Sequence, residues 1–216
     1  MFATKPKPRT IRFPGSTVVR VDPERVRDYQ RLGTRPTPPP ADLAHDAPPG
    51  GWDRYDVLFV APRSVSVLSA TIARRDPMVP VRVGRVHRMA MQLGLGRLAH
   101  AIGPLSPVWV EHLFDSAGQP LLHTHVLLEA AMPWQGRWRP LSEPVFRTLC
   151  REVVITYERT VRAELSRLLG LAWEPPDPDA LGEVAGLPRA LLDRYSRPCR
   201  PLSDLTACDV QPWYAE

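Results

Sequence analysis

Three histidines fall in two neighbouring segments at a spacing suited to binding a metal ion. His112 lies in VWVEHLF (108–114), and His123 and His125 lie in LLHTHVLLEA (121–130). Both segments are typical of strands, and the DSAGQP between them is rich in turn-forming residues, which predicts an antiparallel hairpin. Alternate side chains of a strand share a face, so His123 and His125 point to one side, where His112 on the partner strand can join them. Three neutral imidazoles meeting there would form a metal site with positions open to water or substrate.

The third histidine carries most of this inference. A His-x-His pair alone is weak evidence, because most such pairs hold no metal. The remaining histidines have no comparable support. His45 lies in a proline-rich stretch and is expected to be solvated, whereas His87 and His100 lie in helical patterns and are expected to be surface or packing residues.

Asp56 is a carboxylate at a position where the pattern predicts apolar side chains. In YDVLFVA (55–61) it alternates with Leu58 and Val60, so all three share one face of a predicted strand. Burying a carboxylate is costly unless it is paired. Two interpretations stay open from the residues alone. Asp56 either orients a metal-binding histidine or accepts a proton, or it is an exposed and inert residue at the start of the strand.

The order of the remaining elements predicts an α+β fold with a central antiparallel sheet and helices packed on it. A helix is predicted over 63–75 with Ser64 as its N-cap, and a second over 85–102. A short strand is expected near 136–138. A long helix follows, with Ser142 as its cap, Pro144 in its first turn and Gly170 just past its end. Its apolar stripe is formed by residues 146, 149, 153, 157, 161, 165 and 168, and a last helix is predicted near 187–195.

Charge and composition divide the chain into three parts. Residues 1–53 are predicted to form a basic, proline-rich arm with a short helix over 21–33, residues 54–200 the main domain, and residues 201–216 a tail. Residues 1–40 contain 9 Lys and Arg against 3 acidic residues, whereas residues 41–216 contain 19 against 20. The arm would therefore add salt-dependent affinity for a nucleic acid. The 26 prolines and the preference for arginine over lysine are equally typical of a GC-rich genome.

Several classes of protein are disfavoured by composition. The sequence contains no run of about 18 apolar residues, so no membrane-spanning helix is predicted. The basic N-terminus also lacks the apolar stretch of a secretory signal. The three cysteines form no CxxC pair, which argues against a disulfide framework or a cysteine-based zinc site. We expect a cytoplasmic protein without a membrane partner.

Two motifs resemble those of conjugative relaxases of the MobF/TrwC type. RYDVLFVAPRSVSVL (54–68) resembles their GYDLTFSAPKSVS segment, and EHLFDSAGQPLLHTHVLL (111–128) resembles their metal-binding signature. The interval of 11 residues from His112 to His123 is the one that the family pattern requires. The similarity continues through WQGRWRPLS, the long helix, GEVAGLP and YSRP. It therefore covers about 54–200 in the same order.

The resemblance implies a histidine-hydrophobe-histidine endonuclease fold and a chemistry. Such enzymes bind single-stranded DNA at an origin of transfer, together with other conjugation proteins. A tyrosine attacks the scissile phosphate and leaves a 5′-phosphotyrosine and a free 3′-hydroxyl. By resemblance, His112, His123 and His125 are ligands of Mg²⁺ or Mn²⁺, and Asp56 orients the site or accepts the tyrosine proton. The implied function is metal-dependent nicking and strand transfer in conjugative mobilisation.

The nucleophile departs from the family pattern. Relaxases of this type carry their catalytic tyrosines near the N-terminus, but Tyr29 precedes Asp56 by only 27 positions. Tyr55 and Tyr157 fall where the family has structural residues, so the nucleophile is unknown. Arg63 also replaces the family lysine, and no helicase segment follows. A start site placed too late, a decayed remnant and a different nucleophile are three explanations, and the missing N-terminal strand and tyrosines favour the first two.

Two other functions compete with nicking. A non-catalytic remnant would bind single-stranded DNA without cleaving it, and Trp134 and Trp138 would either stack on bases or pack in a hairpin. A metal hydrolase of small molecules could use the same histidines, although the APRSVS match argues against it. A covalent adduct with DNA would separate the nicking enzyme from the binding module.

Overall fold

A five-stranded antiparallel sheet, in the order β1-β2-β3-β5-β4, carries both motifs. The computed structural model describes residues 10–13, 16–21, 54–103, 105, 107–115, 118–129, 131–134, 137–175 and 182–195. The strands are β1 (Thr10–Phe13), β2 (Ser16–Val21), β3 (Arg54–Val60), β4 (Val108–Phe114) and β5 (Pro120–Glu129). A second hairpin follows, formed by β6 (Ala131–Trp134) and β7 (Arg137–Pro140). The predicted hairpin that carries the three histidines is therefore present as β4 and β5.

The described helices are α1 (Arg63–Ile72), α2 (Met78–Ile102), α3 (Glu143–Leu169) and α4 (Arg189–Arg194). The two long helices, α2 and α3, cover one face of the sheet, which confirms the predicted α+β architecture. Phe59 of β3 contacts Tyr157 of α3 with ring centroids 5.2 Å apart, and Tyr55 contacts Phe146 at 4.5 Å. The main hydrophobic core lies between these strands and the two long helices. No described helix combines the length and apolar character needed to cross a membrane.

The close packing of α2 on α3 explains a glycine that weakens the helix pattern. A Cβ atom at Gly94 would lie 2.8 Å from the carbonyl oxygen of Val153, closer than real Cβ contacts allow. Glycine at position 94 therefore lowers the helix propensity of α2 but permits its close approach to α3. The predicted stripe of α3 is buried from Phe146 to Leu165 except for the half-buried Leu149, whereas Leu168 is 38% exposed. Gly170 ends the helix with φ of 68°, the left-handed conformation expected there.

The predicted N-caps are the parts of the helix assignment that need correction. Ser64 is not the cap of α1, because the helix already includes Arg63 and Ser64 lies inside its first turn. The Ser64 hydroxyl instead contacts the Glu183 carboxylate and accepts a hydrogen bond of 2.8 Å from the Val184 N–H. Ser142 does hold the cap position of α3, but its side chain makes no capping hydrogen bond. Helix α2 also begins at Met78, two turns before the predicted start.

Two strands precede the motif region, so the expectation of a missing N-terminal strand is wrong. The hairpin of β1 and β2 pairs with β3, with Val19 opposite Asp56. Its sequence, TIRFPGSTVVRV, is rich in β-branched residues on both sides of a Pro-Gly turn signal. Apart from Val21, which ends β2, the predicted helix over 21–33 lies outside the described residues, as do the proline-rich stretch and the tail. The boundaries at 53 and 200 remain predictions.

Candidate metal centre

The register of the sheet brings the three histidines to one face. His112 on β4 lies directly opposite His123 on β5, and His125 follows two residues later on the same face. Strand β3 borders β5 on its other side, with Leu58 opposite His125. Asp56, two residues before Leu58, therefore belongs to this face as well. We call it the histidine face, and the two long helices pack on the opposite one.

The three imidazoles converge as the sequence predicts. One ligand atom from each lies within 4.8 Å of the others, and the ring centroids are 5.0 to 5.6 Å apart. His125 is 0% exposed, His123 3% and His112 9%. Among the residues that the structure describes, no second group of three His, Cys, Asp or Glu side chains is arranged to hold a metal ion.

Hydrogen bonds fix the orientation of two of the rings. His125 donates from Nδ1 to Oδ2 of Asp56 at 2.8 Å, and His123 donates from Nδ1 to the carbonyl oxygen of Leu121 at 2.8 Å. The acceptors settle the tautomers, because a carbonyl oxygen and a carboxylate each require the proton on Nδ1. In the neutral form of each ring, which is the form that binds a metal ion, the lone pair is then on Nε2. Partners of this kind orient the histidine ligands of metal sites.

The Nε2 atoms of His112 and His125 are buried and have no hydrogen-bond partner in the described part of the chain. An orphaned buried nitrogen is unfavourable unless something else occupies its lone pair. A divalent ion bound by three imidazoles would fill that role, so the residues present fit a metal ion. The structure thus explains Asp56, which is 1% exposed and pairs with His125 rather than lying at an exposed edge.

Burial also keeps the imidazoles of His112 and His123 neutral. Desolvation, assisted by the charge of His125, lowers the pKa of His112 to about 4. The same causes, in the same order, hold the pKa of His123 well below its usual value. Neutral imidazole is the form that binds a metal ion. These two imidazoles can therefore bind an ion at neutral pH without first losing protons.

Substitution of Asp56 by asparagine should lower the affinity for Mn²⁺ by about 10- to 100-fold, the range typical of losing a partner that orients a metal ligand. The amide can still accept from Nδ1 of His125, but it lacks the negative charge that raises the basicity of the ring. Titration calorimetry measures the change. The control is Asp76→Asn, which alters an aspartate that accepts from the Met78 N–H away from the site. Equal affinities of Asp56→Asn and the unsubstituted protein would contradict this role.

A second polar network lies directly behind the ligands and was not predicted. Thr124, between His123 and His125, points to the helix side, where its Oγ1 lies 2.8 Å from Nε2 of His87. Nδ1 of His87 lies 2.7 Å from the Tyr157 hydroxyl. Burial, with a smaller effect of the neighbouring Arg88, lowers the pKa of His87 to about 3. His87 is thus a neutral packing residue that joins both long helices to β5, whereas His100 is exposed.

Two of the described tyrosines, Tyr55 and Tyr157, do not supply a nucleophile at the histidine face. Tyr55 and Tyr157 are buried on the helix side of the sheet, where they contact Phe146 and His87. Tyr195 is half-buried just after α4. Tyr29 and Tyr214 lie outside the described residues, as does the side chain of Trp134. Trp138 is half-buried on β7, where the predicted hairpin is present.

An antiparallel sheet with helices on one face and a histidine cluster on the other is the fold of a relaxase domain. The chain is similar to the conjugative relaxase TrwC in complex with oriT DNA, metal-bound, with a TM-score of 0.55 and 21% identity. The aligned region covers 82% of this chain and 64% of the TrwC chain, so this chain spans just under two thirds of that neighbour. The metal-free TrwC complex gives a TM-score of 0.56 at 20% identity, covering 85% of this chain and 72% of the other.

A third structure, TrwC complexed with a 27-mer DNA comprising the recognition hairpin and the cleavage site, gives a TM-score of 0.55 at 20% identity and covers 82% and 66% of the two chains. No protein-family model and no curated protein matches the sequence. At this level of identity the similarity establishes the fold. It therefore confirms the relaxase-like fold that the sequence motifs predict.

Proposed function

We propose that this protein is a relaxase-type domain that binds single-stranded DNA and holds a divalent metal ion through His112, His123 and His125. The observation that carries the proposal is the convergence of three buried imidazoles, two of them turned by Asp56 and the Leu121 carbonyl so that Nε2 is free. Nitrogen ligands favour Mn²⁺ over Mg²⁺ in affinity, whereas Mg²⁺ is more abundant. Structures of TrwC with oriT DNA, metal-bound and copper-bound, support the same assignment.

Each residue of the site has a distinct task in this proposal. A bound divalent ion would polarise a non-bridging phosphate oxygen and neutralise the charge that develops during an in-line displacement. His112 and His123 approach from opposite strands and hold the site across the sheet. Asp56 keeps the proton of His125 on Nδ1 and so keeps Nε2 available. The burial of Asp56 and His125 excludes water from this side of the site and strengthens their interaction.

The proposed domain comprises residues 54–200, joined in the sheet by the hairpin of β1 and β2. Single-stranded DNA of the origin-of-transfer type is the proposed substrate, other conjugation proteins are the proposed partners, and the cytoplasm is the proposed compartment. Nicking through a phosphotyrosine requires a tyrosine hydroxyl at the histidine face. Tyr29, Tyr195 and Tyr214 are the candidates that the described geometry leaves.

A non-catalytic module that binds single-stranded DNA is the second proposal. Its support is that Tyr55 and Tyr157 are both buried on the side of the sheet away from the histidines. Such a module would keep the fold and the metal ion but would never link covalently to DNA.

DNA binding is expected in either case and is measured by fluorescence anisotropy with labelled single-stranded oligonucleotides, with duplexes of the same sequence as a control. The protein is then incubated with Mn²⁺ and a pool of random single-stranded sequences, and covalent protein–DNA adducts are isolated under denaturing conditions. An adduct that disappears in Tyr195→Phe, Tyr29→Phe or Tyr214→Phe, but persists in Tyr55→Phe, supports the nicking enzyme. Binding without an adduct supports the module, and no preference for single strands over duplexes contradicts both.

A further inference from the structure

Positive charge is concentrated in the segment that contains α1 and α2. Residues 63–102 contain seven arginines and one acidic residue, Asp76, a net charge of +6. The other described residues between 54 and 195 contain ten arginines and eleven acidic residues, a net charge of −1. Helix α2 itself has four arginines and no acidic side chain. This part of the domain therefore has a strongly positive surface potential.

Arg82, Arg85 and Arg88 form an exposed row along α2, which we call the arginine row. Residues three apart are neighbours on a helix surface. At 1.5 Å per residue the row spans roughly 9 Å, which is long enough to lie along more than one phosphate of a DNA strand. Neither Arg82 nor Arg85 forms an ion pair with a described residue. Their charge is therefore not neutralised within this part of the protein.

One end of the row lies directly behind the candidate metal centre. Nη1 of Arg88 is 2.9 Å from Oε1 of Glu111 on β4, and the next residue of that strand is His112. Strand β4 is at the edge of the sheet, where Glu111 points to the helix side and His112 to the histidine face. A chain of phosphates that passes over His112 and turns around this edge would reach Arg88 first, then Arg85 and Arg82.

We propose that the arginine row binds the phosphate backbone of the DNA strand that continues beyond the metal centre. The proposal rests on the proposed function, because it extends the path of the same strand. The chemistry favours phosphate, since guanidinium groups form paired hydrogen bonds with phosphate oxygens. The contact would be independent of base sequence, because it reaches only the backbone.

The test compares Arg82→Gln/Arg85→Gln with a control that removes the same charge elsewhere. Arg151→Gln/Arg159→Gln serves as that control, because both arginines are exposed on α3 and form no ion pair with a described residue. Affinities for single-stranded oligonucleotides of about 4 and about 30 nucleotides are measured as a function of salt; at about 3.4 Å per nucleotide the shorter one spans little more than the row itself.

The row variant should bind the longer oligonucleotide about 20-fold more weakly at about 0.1 M salt, with a salt slope reduced by about 1.4, the value for two lost contacts with a single strand. Its affinities for the shorter oligonucleotide and for Mn²⁺ should equal those of the unsubstituted protein. The control variant should equal the unsubstituted protein in its affinity for either oligonucleotide and for Mn²⁺. Circular dichroism of each variant checks that the helices are retained.

An unchanged affinity and salt slope of the row variant for the longer oligonucleotide would overturn this proposal while leaving the proposed function in place. An acidic protein segment would then be the partner that fits the row. An equal loss in the control variant would also overturn it, because the effect would be one of total charge. If the unsubstituted protein binds neither oligonucleotide, the proposed function fails together with this extension of it.

Discussion

Replacing His123 with alanine should abolish binding of Mn²⁺, with a loss of more than about 100-fold, beyond the 10- to 100-fold typical for residues that only support a ligand. His123 contributes one of the three imidazole ligands from β5, an internal strand of the sheet. It lies opposite His112 on β4 and two residues before His125. Its removal leaves two imidazoles, too few to hold an ion against water. Titration calorimetry of the metal-free protein should show one ion per chain for the unsubstituted protein and no measurable heat for the variant.

The matched control for this experiment is His100→Ala, which removes an exposed histidine of α2. It should bind one ion with unchanged affinity. The His123 ring is hydrogen-bonded to the Leu121 carbonyl oxygen rather than to a charged side chain, so its loss leaves no buried charge unpaired. The variant is therefore expected to fold, which thermal unfolding verifies. If the unsubstituted protein binds no ion, the metal centre and the enzyme interpretation both fall.

The metal-free protein should lose stability steeply as the pH falls below about 6.5. Burial lowers the pKa of His87 to about 3 and of His112 to about 4, and it holds that of His123 well below its usual value. Above pH 6.5 these imidazoles are neutral in both states and contribute no pH dependence. Between pH 6.5 and about 4 the unfolded chain binds protons that the folded protein does not. Each histidine then removes up to about 1.4 kcal/mol per pH unit. Glu158 opposes part of this loss, because burial raises its pKa to about 7 and the folded protein takes up a proton there before the unfolded chain does.

Urea unfolding in the presence of a chelator at pH 7.5, 6.0 and 5.0 measures this dependence. His87→Gln should reduce the slope by about 1.4 kcal/mol per pH unit, because one of the three groups no longer titrates. His100→Gln should leave it unchanged, since that side chain is exposed. A free energy of unfolding that stays constant from pH 7.5 to pH 5.0 would contradict the neutral, buried state of these histidines.

The hairpin with the three histidines could be predicted from sequence because its evidence is local. Strand alternation over 108–114 and 121–130, with a turn between them, determines both the pairing and the shared face. The same holds for the end of α3, since Gly170 directly follows the last apolar position. The β1–β2 hairpin carried a similar local signal in TIRFPGSTVVRV, but the net charge and proline content of the surrounding segment concealed it.

The parts that could not be predicted depend on contacts between distant residues. Ser64 reads as an N-cap from its neighbours, yet its hydroxyl contacts Glu183, 119 positions later. His87 and Tyr157 are 70 positions apart, and neither helical pattern indicates that they meet. Asp56 is a third case. Alternation places it on a face but says little about burial, because β3 is a central strand with both faces covered, as the full burial of Val57 and near-full burial of Leu58 show.

The position of His112 on an edge strand has a consequence for the kinetics of the site. In the described sheet, β4 has a neighbour on one side only, and its register shifts between His112 and Phe114, where Leu113 is 44% exposed. Edge strands of this kind separate locally more often than central ones. Each separation would detach one of three ligands while His123 and His125 stay in place. The residence time of a bound ion would then be governed by how often β4 opens, and an ion would in turn slow amide hydrogen exchange along that strand.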